Sequence, residues 1–147
     1  MSLSNIFDVA GTGMSAQTVR LNTVASNIAN AESVSSSVGE TYRARHPIFT
    51  VMQQQGNPLD FNSLFEEASG SGAGVKVSGI VESQAPLNKQ YQPDHPKADE
   101  EGYVFYPNVN IVEEMTDMIS ASRSFQTNVE IMNTAKQLVQ RVLTLGQ

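Results

Sequence analysis

Two segments at opposite ends of this chain carry the same pattern, and it is a helical one. In residues 4–31, Phe7, Ala10, Met14, Gln17, Leu21, Val24, Ile28 and Ala31 recur at intervals alternating between three and four. In residues 111–145, Ile111, Met115, Met118, Ser122, Phe125, Val129, Met132, Lys136, Val139 and Leu143 keep that rhythm. Such spacing returns side chains to one stripe of a helix, so it predicts a long α-helix at each end. At 1.5 Å per residue the helices would be roughly 40 and 50 Å long, well beyond the usual helix of a small domain. A chain of 147 residues has room for one modest core. The expected fold is therefore α+β. Residues 1–31 and 111–147 form an antiparallel coiled-coil layer, and residues 32–110 form a small β-rich module with flexible loops.

The helices differ from those of a water-facing coiled coil. Between Met1 and Ala31 the only charges are Asp8 and Arg20, and the flanks of the stripe are Ser, Thr, Asn and Gln. Uncharged flanks suit burial against further neighbours. Gly11 and Gly13 each weaken this helix by about 1 kcal/mol relative to alanine, so it is marginal alone. The C-terminal helix has clear start signals: Pro107 ahead of it, Asn110 as N-cap and Glu113 three residues on, as in a capping box. Glu113, Glu114 and Asp117 sit where the helix dipole favours acid, Lys136 and Arg141 fall toward the other end, and Gly146 is a reasonable stop. A second stripe of Ile131, Ala135, Leu138, Val142 and Leu145 lets the last third touch two neighbours at once.

The middle holds ten acidic and five basic side chains, so most of the net charge of −6 is there. Ser33–Gly39 reads as a loop, Tyr42–Met52 as a strand or edge strand around Pro47, and Val75–Val81 as the best strand. Lys89–Gln92 is expected to pair with that strand, and Tyr103–Tyr106 is a last aromatic strand. Gln53–Gly74, with Leu59, Phe61, Leu64 and Phe65, reads as a loop with one helical turn.

These features exclude much. An acidic chain is a poor partner for nucleic acid or an anionic membrane, and no apolar run reaches the ~18 residues of a membrane span. Without cysteine there is no disulfide, thiolate metal site or thiol nucleophile. The N-terminus has no signal-peptide pattern, because no Lys or Arg precedes an apolar run. His46 and His95 lack partners for a metal set, and Asp94, Asp99, Glu100, Glu101 and Gly102 miss the spacing of a calcium loop. No nucleophile elbow or phosphate loop is present. No catalytic residue, metal or cofactor is expected. From the residues alone two other readings stay open: a helical-hairpin adaptor for a single protein partner, and a hydrolase using Asp94, His95 or Asp99.

The run LNTVASNIANAES at Leu21–Ser33 resembles the N-terminal signature of bacterial flagellar rod, hook and filament-junction proteins, with Ser33 where the family usually has Thr. The stretches LSNIFDVAGTGM (Leu3–Met14), GVKVSGIVESQAP (Gly74–Pro86) and His95–Val139 look like the proximal rod branch of that superfamily. The resemblance covers nearly the whole chain. It implies a structural subunit without catalysis, stacked helically into a periplasm-spanning rod whose terminal helices surround an export channel and which carries torque. Expected partners are its own copies, other proximal and distal rod proteins, the rod-to-membrane-ring adaptor and the flagellar type III export apparatus. Export by that route implies no cleaved signal peptide. The expected assembly interface is Phe7, Met14, Leu21, Val24, Ile28, Met115, Met118, Phe125, Val129, Met132, Val139 and Leu143. By analogy with the family, Asn27 and Asn30 turn the chain at the helix end.

Overall fold

A computed structural model describes residues 3–53 and 72–145. Helix α1 spans Leu3–Asn30 and helix α2 spans Ile111–Leu145. Between them lie strands β1 (Arg45–Gln53), β2 (Gly72–Glu82), β3 (Asn88–Tyr91) and β4 (Tyr103–Tyr106). The α+β class and the helical ends are as expected. The apolar patch Leu59–Phe65 and the stop at Gly146 lie outside the described residues.

The four strands form two separate two-stranded sheets, β1 with β2 and β3 with β4. The expected partner of residues 89–92 is thus replaced: β3 runs antiparallel to β4, with Lys89 opposite Phe105 and Tyr91 opposite Tyr103. Loop length does not explain the choice, because residues 92–102 join β3 to β4 whereas only residues 83–87 separate β3 from β2. The ladder continues past β3, where Gln92 N–H donates to the Gly102 carbonyl (2.9 Å). Side chains add to it: Tyr91 and Tyr103 meet edge to face at 5.2 Å, and the Lys89 ammonium stands 3.8 Å above the Tyr103 ring. In the other sheet Arg45 meets Glu82 and Thr50 meets Ser78, pairings that run in opposite directions and make β1 and β2 antiparallel.

The chain divides into two compact units, and each draws on both helices. The first takes in residues 1–18, 49–78 and 122–147. Its helical segments run antiparallel: Ile6 lies beside the stretch Thr127–Leu138, whereas Gly13 lies beside Asn128. Small residues set the spacing. Ala10, Ala16 and Ala135 are buried, and a Cβ on Gly13 would come within 2.9 Å of the Asn128 side-chain nitrogen. The glycine that weakens α1 as an isolated helix thus permits close approach to α2. Gln17, the polar member of the stripe, has its Oε1 buried without a hydrogen-bond partner among the described residues. Gln17→Met should therefore raise stability by about 1 kcal/mol, because it removes an unsatisfied buried acceptor while keeping side-chain length. A chemical-denaturation midpoint below that of the parent chain would contradict this.

The second unit comprises residues 19–48 and 79–121. Here Arg20 pairs with Asp117 at 2.8 Å and Asn27 reaches Glu114 at 2.9 Å, again an antiparallel arrangement. Val24, Ala31, Ala44, Val104 and Ala121 form its apolar core, with Val104 at the centre of β4 fully buried. Ser35 forms a bridge with Phe105, so the loop after α1 adds a third, short rung to the β3–β4 sheet.

Candidate functional site

The segment LNTVASNIANAES ends α1 with polar residues, two of which bond locally. Asn30 Nδ2 donates to the Ser26 carbonyl (2.8 Å), and the Ser33 amide and hydroxyl both donate to the Asn30 carbonyl. Asn30 therefore closes the last turn of its own helix. Asn27 does something else. It is fully buried, and its amide uses its whole hydrogen-bonding capacity. Nδ2 donates to the Arg45 carbonyl and to Glu114 Oε1, both at 2.9 Å. Oδ1 accepts from the Arg45 amide (2.9 Å) and from the Tyr42 hydroxyl (2.8 Å). Because Tyr42 gives its only hydroxyl proton to Asn27, its 3.3 Å contact with Ser26 Oγ has Ser26 as donor. One side chain thus clasps the end of α1, the start of β1 and the first turn of α2.

A second asparagine works in the same unit. Asn108 Oδ1 accepts from the Ala44 amide (2.8 Å), and its Nδ2 donates to the Ala85 carbonyl (2.9 Å). Arg43 donates to the Ser83 and Ala85 carbonyls at 3.2 Å. Asn110 caps α2 as expected, its Oδ1 accepting from the Val112 amide at 3.1 Å.

The buried face of α2 follows Ile111, Glu114, Met118, Ala121, Phe125, Asn128, Met132, Ala135 and Val139. Of the residues expected at the assembly interface, Val24 and Asn27 are buried. Phe7, Met14, Leu21, Ile28, Asn30, Met118, Phe125, Val129, Met132 and Val139 are half-buried within the single chain. Met115 and Leu143 point to solvent. Reading by hydrophobicity missed Glu114, Ala121 and Asn128 and took Met115, Ser122 and Val129, each one residue further along, although Met115 is exposed. The signal that could have found the register is the spacing of the small residues Ala121 and Ala135, fourteen apart, or four helical turns.

The chain leaves apolar surface uncovered on α2. Val112 is 73% exposed, Met115 52% and Ile119 55%, an i, i+3, i+7 stripe within the second unit. In the first unit, Ile131, Leu138 and Val142 of the second sequence stripe are also exposed. Apolar stripes of this kind offer surface that another macromolecule can cover.

The described residues of the acidic middle contain no comparable site. Asp99 Oδ1 accepts from the amides of Glu101 (3.0 Å) and Tyr103 (2.8 Å), so its carboxylate builds the turn before β4. His95 Nδ1 accepts from the Lys97 amide at 3.1 Å. Among the described residues no three His, Cys, Asp or Glu side chains are grouped to hold a metal ion. A polar hollow of about 770 Å³ in the second unit is bordered by Arg43, Arg45, Glu82 and Lys97. Each of its cations already has a partner: Arg43 on the Ser83 and Ala85 carbonyls, Arg45 on Glu82, and Lys97 on the Val34 carbonyl at 3.0 Å.

Two family models match the chain, and they match its ends. Residues 7–34 fit the flagella basal body rod protein family, and residues 100–145 fit the C-terminal family of flagellar basal body rod FlgEFG proteins. Over its full 147 residues the chain is 47% identical to the flagellar basal-body rod protein FlgC of Salmonella typhimurium, and both chains are covered completely. The chain belongs to the FlgC family of flagellar basal-body rod proteins. The FlgC of Escherichia coli O6:H1 is 48% identical over the whole of both chains. The more distant FlgC of Borreliella burgdorferi is 37% identical over 153 aligned positions, covering 100% of this chain and 99% of its own. Both family-model matches contain the features described above: the first holds Asn27 and the end of α1, and the second holds Glu114 and all of α2.

Proposed function

We propose that this FlgC-family chain is a structural subunit of the flagellar rod that assembles through its terminal helices and catalyses no reaction. The observation that carries the proposal is the uncovered stripe Val112, Met115 and Ile119 on α2, which a single copy leaves in water. In this reading residues 1–31 and 111–147 form the coiled-coil layer of the rod around its export channel, and residues 32–110 form a domain outside it. The neighbours are further copies, other proximal and distal rod proteins and the adaptor to the membrane ring. The chain reaches its place in the basal body through the flagellar type III export apparatus and transmits torque across the periplasm. The half-buried positions Phe7, Met14, Leu21, Ile28, Met118, Phe125, Val129, Met132 and Val139 then serve both the chain's own packing and its neighbours, as helices with more than one apolar stripe allow.

The test uses positions that the chain does not need for its own fold. Val112→Glu combined with Ile119→Glu should leave the thermal melt of the purified chain nearly unchanged, since exposed substitutions shift stability by about 0.5 kcal/mol or less. In cells lacking the native subunit the same pair should abolish motility and leave no complete rods in isolated basal bodies. Motility at the parent level would overturn the proposal. Val129→Asp is a weaker test, because Val129 is half-buried in the single chain and a charge there also disturbs the fold.

A further inference from the structure

The clasp at Asn27 contains one group whose surroundings suit it badly when charged. Glu114 is only 5% exposed. Its Oε1 accepts one hydrogen bond, from Asn27, and its Oε2 is buried with no hydrogen-bond partner among the described residues. A carboxylate has room for about four hydrogen bonds, so one donor leaves most of its hydration unreplaced. We propose that Glu114 is a proton-operated catch. The unit that this clasp closes is most stable while the carboxyl holds its proton, and it opens more readily when the proton leaves.

The charges around it do not restore what burial removes. On its own helix, Glu113 and Asp117 are like charges one and three residues away, and both disfavour ionisation. Asp117 is partly occupied by Arg20 of α1, so that cation is turned to Asp117 and not to Glu114. From β1, His46 favours the carboxylate, while the Arg45 guanidinium is held by Glu82 and only its backbone faces Asn27. Tyr42 presents its hydroxyl to Asn27. The hydrogen bond from Asn27 and the positive end of the α2 dipole also favour the carboxylate. Desolvation by burial is the largest influence, and the carboxyl is held above the ordinary glutamate range.

The sign of the effect follows from linkage. A carboxyl that holds its proton more tightly in the folded chain contributes stability that is fully present below its unfolded value. That contribution is lost as pH rises through the folded value. The second unit should therefore open more often at neutral pH than at mildly acid pH, which is the reverse of a salt-bridged carboxylate. This inference does not depend on the rod assignment.

Hydrogen exchange read by mass spectrometry on the full chain, from about pH 4 to about pH 8 and corrected for intrinsic exchange chemistry, tests it across the titration range of carboxyls and histidine. Peptides covering residues 24–31 and 111–121 should open several-fold more often at the upper end. Glu114→Gln keeps an acceptor for Asn27 and cannot ionise, so its opening should change much less with pH than that of the parent chain. Glu113→Gln, at an exposed position, should keep the dependence of the parent chain. Equal pH dependence in Glu114→Gln and the parent overturns the proposal. A carboxyl-carbon NMR titration of Glu114 in the unsubstituted chain tests the same claim even if Glu114→Gln does not fold. A midpoint above the ordinary glutamate range supports the catch, and one at or below that range overturns it.

Discussion

Asn27→Leu should lower folding stability by roughly 3 kcal/mol or more, the largest effect expected from any single substitution in the second unit. Leucine keeps the forked outline of asparagine, in a bulkier form, but none of its bonds. It would release the Arg45 amide and carbonyl, the Tyr42 hydroxyl and Glu114 Oε1, all of which now end on this one side chain. A buried polar group without a partner costs about 1–3 kcal/mol, and the Arg45 amide, the Arg45 carbonyl and Glu114 Oε1 lose this partner together, while the Tyr42 hydroxyl keeps Ser26. Relaxation and entering water will recover part of that sum. Urea denaturation followed by circular dichroism measures the change. Asn27→Asp separates the roles further, since it keeps the acceptor for Tyr42 and Arg45 but places a carboxylate against Glu114. It should destabilise more at neutral than at acid pH. A leucine variant within 1 kcal/mol of the parent chain (about the median effect of a point substitution) would show that the clasp is not the main tie of this unit.

Gly74→Val should cost roughly 2–4 kcal/mol through two separable effects. Gly74 has a φ of +140°, a region that β-branched side chains avoid. A Cβ there would also collide with the Thr12 side chain of α1. Thr12 is in place for a reason: its hydroxyl donates to the Val9 carbonyl (3.0 Å) and accepts from the Val75 amide (3.2 Å), tying β2 to α1 within the first unit. A double-mutant cycle with Thr12→Ala divides the cost, because removing the Thr12 side chain relieves the collision but not the backbone strain. The two substitutions should couple by about 1 kcal/mol or more. Additivity would mean that strain alone accounts for the loss.

Local features were legible in the residues. The two helices could be read because their apolar periodicity and the Asn110 cap are short-range properties of consecutive residues. The strand at Tyr103–Tyr106 was legible for the same reason. Pairing was less so. Lys89–Gln92 was expected beside Val75–Val81, whereas β3 pairs with β4 across the longer connection, a choice supported by the contacts of Tyr91 and Lys89 with Tyr103. The register of α2 was half legible. Met118, Phe125, Met132 and Val139 lie on the face that the periodicity indicated, but the positions between them are Glu114, Ala121, Asn128 and Ala135. Hydrophobicity gives no credit to a small residue that lets another helix approach, or to a polar one that is satisfied there.

The candidate site shows the same division. Asn27 stood out in the SNIANA run only as a residue that could turn the chain, and Glu114 stood out as an acid near a helix start. Nothing in either neighbourhood says that the two side chains meet. Runs of consecutive residues were enough to specify two long amphipathic helices, a capped start for the second, an acidic strand-and-loop middle and, through the signature runs, the family. The full burial of Asn27 and the near-burial of Glu114 came only with the folded chain. Periodicity is written in residues three or four apart, whereas the partners that make those burials tolerable lie 18 and 87 residues from Asn27. A polar group's cost depends on what meets it, and that is known only once the chain has closed.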